Sequence, residues 1–331
     1  MKPFIRYFLL LACLGSVAGI FFGYYVINQG FHLIPDSVKK RMREANLLEN
    51  ATAKSCSECH KAIYESWKKS RHSQAWVDEI YIKDSDNRSK EKCLPCHIPQ
   101  EVRAGIKPDP RTWVRDDGIY CVPCHVVNKE MNGPYDLFSP PHPTRQNPEY
   151  RKSKICGSCH QKTLKEWEAS GVEKTCQTCH MPRMEGRLTQ KFPLSLLHSK
   201  KSVGDHRFPH GEIGSDDLLL SARVEGGAVI VVIQNLLIPH QVPTAENGDP
   251  RLFLYTLFYD AGGNEMDRNK EIFAPQQETA LSLGKKMEFR YPLERASTTI
   301  AVSLQYQPAW SKEKSEIRKI SLEIPKVKGK P

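Results

Sequence analysis

Ten of the 11 cysteines fall into five pairs between positions 56 and 179, each with two residues between partners and a histidine directly behind. The motifs are Cys56-Ser-Glu-Cys59-His60, Cys93-Leu-Pro-Cys96-His97, Cys121-Val-Pro-Cys124-His125, Cys156-Gly-Ser-Cys159-His160 and Cys176-Gln-Thr-Cys179-His180. Two thiolates at this spacing add across the two vinyl groups of one haem as thioethers, and the next histidine is held where its imidazole reaches the iron. Cysteine pairs also make tetrahedral zinc sites, redox dithiols and disulfides. None of those requires a histidine behind every pair. With 12 histidines in 331 residues, five such coincidences have a chance on the order of 10⁻⁷, so five covalently bound haem c groups are expected.

The second axial ligand decides between electron transfer and catalysis, because an iron held by two imidazoles offers substrate no open position. Outside the motifs stand His32, His72, His142, His198, His206, His210 and His240. His32 belongs to a membrane-proximal linker, which leaves six histidines for five positions. His72 follows the first motif on an expected short helix with Trp67. His142 lies in Ser-Pro-Pro-His-Pro-Thr before the fourth motif. His206 and His210 share the stretch Asp-His-Arg-Phe-Pro-His-Gly, where one ligand is enough and His206 is preferred. His198 is a further candidate. His240 has two readings: a loop histidine bonded to its own turn, or a long-range ligand that clamps a strand-rich domain onto the haem region. The expected distal set is therefore His72, His142, His198, His206 and His240. Trp67, Trp76, Trp113 and Trp167 offer broad faces for packing against porphyrins. Met181 and Met184 read as packing residues.

Four segments must position these groups. Residues 1–28 carry Lys2 and Arg6, then an uncharged run from Tyr7 to Ile27. Twenty-one helical residues reach about 31 Å, enough for a hydrocarbon core of about 30 Å. The charges place the N-terminus in the cytoplasm, so a single-pass anchor with the rest of the chain on the periplasmic side is expected. Cleavage after export, or lipidation at Cys13, are the alternatives. Residues 29–50 read as a juxtamembrane linker. Residues 51–214 hold all five motifs among short helical pieces, too small a shell for five macrocycles unless the haems themselves form much of the core. After Gly214 the chain alternates β-branched and aromatic residues with polar ones, and Gly226-Gly227 and Asp260–Gly263 supply turns. An antiparallel β-sandwich of six to eight strands with a basic tail is expected over 215–331. The expected fold is thus a transmembrane helix, a mainly α and irregular multihaem domain, and this sandwich.

The 48 Lys and Arg against 38 Asp and Glu give +10. The excess is scattered and matches no nucleic-acid motif, and haem propionates would offset about half of it. Nucleic acid is excluded as a partner on that ground.

The run Cys56–Trp67–His72, His142 ahead of Cys156, and Cys176-Gln-Thr-Cys179-His180-Met181-Pro182 resemble elements of extracytoplasmic multihaem c-type cytochromes, including the nitrifier tetrahaem cytochrome and hydroxylamine-oxidoreductase-like haem modules. The segment Asn235–Tyr259, with His240, Pro243-Thr244 and Arg251, resembles a β-domain that follows haem domains in some of these proteins. That resemblance implies an iron-ligand role for His240. The chain departs from the family's enzymes in having no Cys-x-x-Cys-Lys motif, and Tyr64, Tyr81, Tyr120, Tyr135 and Tyr150 read as packing or surface residues rather than crosslinks. The anchor also resembles that of membrane quinol dehydrogenases. The function expected is electron transfer between membrane or periplasmic redox partners, with quinol or a respiratory complex among them. Two alternatives are an oxidoreductase of nitrogen or sulfur compounds with one open haem, and a structural haem subunit of a respiratory complex or cytochrome filament.

Overall fold

The computed structural model describes residues 14–25, 35–38, 40, 48–49, 51–137, 139, 141–209, 213–214, 216–294 and 296–324. Residues 14–25 of the expected anchor are helical, and Leu14, Val17, Ile20, Phe21, Phe22, Tyr24 and Tyr25 on it are exposed. The two ends of the 7–27 run lie outside the described residues, as do His32, His210 and the tail from 325. Among the described residues no helix is long and apolar enough to cross a membrane.

The rest divides into two compact units. The first takes the chain through Cys159 together with Lys174–Pro209. Its helices are short: Ala53–Ser57, Lys61–Trp67, Glu79–Asp84, Leu94–His97, Cys121–His125, Cys176–His180 and Leu194–Leu197. Thr52 begins the first of them with a reciprocal cap, its hydroxyl accepting from Ser55 N while Ser55 Oγ accepts from Thr52 N. Small antiparallel and parallel pairings fill the gaps. β1 (Val126–Val127) and β3 (Thr144–Gln146) flank β2 (Glu130–Gly133), and β4 (Arg183–Gly186) pairs with β5 (Lys201–Gly204). His72 sits in successive turns beyond the helix expected to carry it. There the Ser73 hydroxyl bonds the Lys68 and Ser70 carbonyls, an alternative to continuing the helix.

Side-chain packing in this unit is sparse. Its described apolar clusters are Ala53, Trp67 and Tyr120 in one place and Trp76, Tyr81 and Ile98 in another. Polar cross-links between distant segments carry much of the order instead. Ala53 N donates to Asp117 (2.8 Å), Val102 N to the Pro123 carbonyl (2.7 Å), and Gln190 N to the Cys59 carbonyl (2.7 Å). Arg111 is 1% exposed, and its guanidinium donates to the carbonyls of Pro99, Trp113, Val114 and Gly118. Gly118 has φ of +57°, and a Cβ there would lie 2.6 Å from the His72 carbonyl oxygen. Only glycine permits the approach that lets Ile119 N donate to that oxygen (2.9 Å).

The second unit joins residues 210–331 to residues 160–173. Seven strands make two antiparallel sheets. One has the order β10-β7-β6, from Lys286–Pro292, Ala228–Asn235 and Leu218–Glu225. The other is β12-β11-β8-β9, from Ser315–Glu323, Thr299–Gln307, Arg251–Tyr259 and Glu265–Phe273. The hairpin between β6 and β7 turns on Gly226 and Gly227, both at positive φ, as a two-residue loop requires. Leu218, Val231 and Ile233 from one sheet and Leu252, Leu254, Phe258, Ile300 and Val302 from the other share a single buried core. This is the sandwich expected from the alternating pattern. The helix Gln161–Ser170 joins it from the middle of the motif region, ending at Gly171 in the left-handed conformation.

Candidate functional site

In an α-turn, positions i, i+3 and i+4 share one face. Cys121–His125 and Cys176–His180 are single helical turns, and Leu94–His97 is one as well with Cys93 at its N-cap. Each therefore directs both thiols and the imidazole of its motif to the same side. The fourth motif runs through a 3₁₀ segment, Ser153–Ser158, and His160 caps the helix that follows.

Four of the five motif imidazoles are oriented alike. Nδ1 of His60 bonds the Leu188 carbonyl, that of His97 the Ala75 carbonyl, that of His125 the Asn132 carbonyl (2.8 Å) and that of His180 the Pro209 carbonyl (2.8 Å). A carbonyl only accepts, so Nδ1 carries the proton and Nε2 keeps its lone pair for a metal. Burial lowers the pKa of His60, His97 and His125, which keeps these rings in the neutral form that binds iron.

Two expected distal histidines face two of these rings. His60 and His142 have ring centroids 6.2 Å apart with planes inclined at 34°, and His125 and His206 lie 6.2 Å apart at 39°. Two imidazole nitrogens, each about 2 Å from one metal, put their ring centres about 6 Å apart. His142 is pushed down to about 4 by burial and then by the charge of His60. His206 is pushed down to about 4 by burial and then by His125, and its Nδ1 bonds the Gly204 carbonyl (2.8 Å). The partners are far apart in sequence, which is why histidine spacing alone could nominate ligands without pairing them.

The other candidates are placed as follows. His72 makes an edge contact with Phe208 at 4.4 Å, next to the Pro209 carbonyl that orients His180. His198 is buried, with a pKa lowered by that burial and then by His60 and Lys201. His240 bonds its Nδ1 to the Gln241 carbonyl (2.9 Å), the same arrangement as at the motif histidines, and lies in the unit that contains His160.

Thiols from different motifs meet. Cys56 is hydrogen-bonded with Cys121, Cys96 with Cys159 and Cys156 with Cys176. Hydrogen bonds from Cys156 and Ser153 lower the Cys176 thiol to about 6, while its partner Cys156 is raised. The attachment points thus adjoin pairwise: first motif with third, second with fourth, fourth with fifth.

Aromatic rings support the imidazoles. Tyr81 stacks on His97 at 3.7 Å and 11°, and Tyr150 on His125 at 5.2 Å and 15°. The Tyr150 hydroxyl donates to the Cys124 carbonyl and the Tyr135 hydroxyl to the Ser202 carbonyl (2.6 Å). The buried hydroxyls of Tyr81 and Tyr120 have no hydrogen-bond partner. Arg111 stands over the Tyr120 ring at 4.9 Å. Met184 is half exposed on β4. Residues 51–209 therefore offer paired thiols, neutral imidazoles and little apolar packing of their own, a fit to covalent haem. Arg111 was not legible in the sequence, because a single buried arginine leaves no spacing pattern.

Comparison with known proteins points the same way. The family model described as cytochrome c554 and c-prime matches residues 55–126. The chain is similar in fold to a penta-heme cytochrome c552 from Thermochromatium tepidum, with 20% identity, a TM-score of 0.63, and coverage of 84% of this chain and 100% of that one. It also matches the putative ApaA protein from Bordetella pertussis at 15% identity over 34% of this chain and 96% of that one, but the TM-score is only 0.20. A search of curated proteins found no match. The family match covers residues 55–126, and the likeness to the penta-heme cytochrome is one of fold.

Proposed function

We propose that this chain is a pentahaem electron-transfer cytochrome, anchored through residues 7–27 to the outer face of the cytoplasmic membrane, that passes electrons between membrane or periplasmic redox partners. Each of the five motifs holds one haem c by two thioethers and a proximal imidazole. Haem c so held supplies a one-electron couple between ferric and ferrous iron. The observation that carries the reading is the pair of 6.2 Å imidazole contacts, His60 with His142 and His125 with His206. Residues so placed close both axial positions to substrate, which suits relay rather than catalysis. Meeting thiols such as Cys56 and Cys121 hold neighbouring cofactors at adjacent attachment points.

His240 serves the haem of the fourth motif in this reading. Its support is the carbonyl-bonded Nδ1 and its place in the same unit as His160. His72 and His198 are the candidates for the two remaining positions. The anchor rests on the uncharged run from Tyr7 to Ile27 behind Lys2 and Arg6. A quinol or a respiratory complex in the membrane is the proposed class of partner, since an anchored domain works at that surface. The sandwich recognises a redox partner.

Low-temperature paramagnetic resonance of the oxidised, natively matured protein tests the reading. Low-spin signals accounting for every haem are expected. A high-spin fraction near one haem in five would favour the oxidoreductase of nitrogen or sulfur compounds instead.

A further inference from the structure

The helix Gln161–Ser170 begins directly after His160 and is tied by hydrogen bonds to the loop between β7 and β8 that contains His240. Glu246 accepts from Lys162 N and, at 3.4 Å, from Thr163 N, so a side chain of the loop caps the helix. The Thr163 and Thr244 hydroxyls lie 2.9 Å apart. Glu166 is the innermost tie. Its Oε2 accepts from Gln241 N (3.2 Å) and from Thr244 Oγ1 (2.8 Å), while its Oε1 is buried with no hydrogen-bond partner. Gln241 is also the residue whose carbonyl holds Nδ1 of His240.

We propose that Glu166 is the positioning residue for His240 as an iron ligand: one carboxylate on the helix that starts at the proximal His160 fixes the loop that presents the distal imidazole. This rests on the reading of His240 as the ligand of the fourth haem. A carboxylate oxygen that is buried without a hydrogen-bond partner, as Glu166 Oε1 is, costs stability. At this position the cost is offset by a function that a simple turn does not need, which is to hold the His240 loop in register with the helix that starts at the proximal His160. Both hydrogen bonds end on a single oxygen, so glutamine can keep them and alanine cannot.

The test uses the haem-loaded protein in three variants, with low-temperature paramagnetic resonance and redox titration as readouts. In Glu166→Ala, one haem of five should turn high-spin or shift its low-spin signal and potential, while the other four are unchanged. Glu166→Gln should restore the wild-type spectrum. Thr244→Val, which removes one donor and spares the carboxylate, should give a smaller change at the same haem and covers the case in which Glu166→Ala fails to fold. The reference is His240→Ala. If His240→Ala changes one haem but Glu166→Ala and Thr244→Val change none, Glu166 does not position the ligand and the proposal is overturned. If His240→Ala itself leaves all signals intact, the ligand reading of His240 fails, and the positioning role with it.

Discussion

The rings of His60 and His142 lie 6.2 Å apart, although more than eighty positions separate the two residues and the motif histidines His97 and His125 lie between them in the chain. The same distance separates His125 from His206. Burial drives His142 and His206 down to about 4, so both are neutral at physiological pH and available as ligands.

Removing either distal ring should open one iron. His142→Ala and His206→Ala are each expected to convert one haem in five from low to high spin and to shift its potential. The double variant should affect two. A variant whose low-spin signals all persist would strike that histidine from the ligand set.

The motifs were legible because covalent attachment forces its residues to be neighbours in sequence. The sandwich was legible because alternation and the Gly226-Gly227 turn are local signals. Ligand pairing was not, since His60 meets His142 only through tertiary structure. The helix Gln161–Ser170 was also hidden: Lys162, Thr163 and Glu166 attach it to the strand-rich unit by polar contacts, which leave no hydrophobic period to read.

Arg111 should be the most sensitive position outside the motifs. Its loss leaves the carbonyls of Pro99, Trp113, Val114 and Gly118 without their donor. Arg111→Met is expected to cost about 3 kcal/mol or more in chemical denaturation. Arg111→Lys should rescue little, because an ammonium cannot replace the planar fork. Tyr120→Phe next to it should cost under about 1 kcal/mol, as the hydroxyl it removes has no partner. Similar losses for Arg111→Met and Tyr120→Phe would contradict this account.

The two units should depend on cofactor differently. In protein made without haem attachment, hydrogen exchange should remain slow in β7, β8 and β11, whose side chains share one apolar core. Exchange should be fast in Cys121–His125 and Cys176–His180, which lack such a core. Leu254→Ala, at a fully buried site, should cost about 2–5 kcal/mol with or without haem. Equal protection of both units in the apoprotein would show that haem is not the core of the first.

Topology is open to direct trial. If, as proposed, Lys2 and Arg6 hold the N-terminus inside, protease added to intact spheroplasts should release the haem and sandwich domains from the membrane fraction. Protection until lysis would reverse the orientation.

The central claim is that five cofactors are bound covalently at Cys56/Cys59, Cys93/Cys96, Cys121/Cys124, Cys156/Cys159 and Cys176/Cys179. Intact-mass measurement of natively matured, acid-denatured protein addresses it most directly, since thioethers survive conditions that release non-covalent haem. The account predicts a gain of five haem masses over the polypeptide. A stable gain of three or fewer would contradict it.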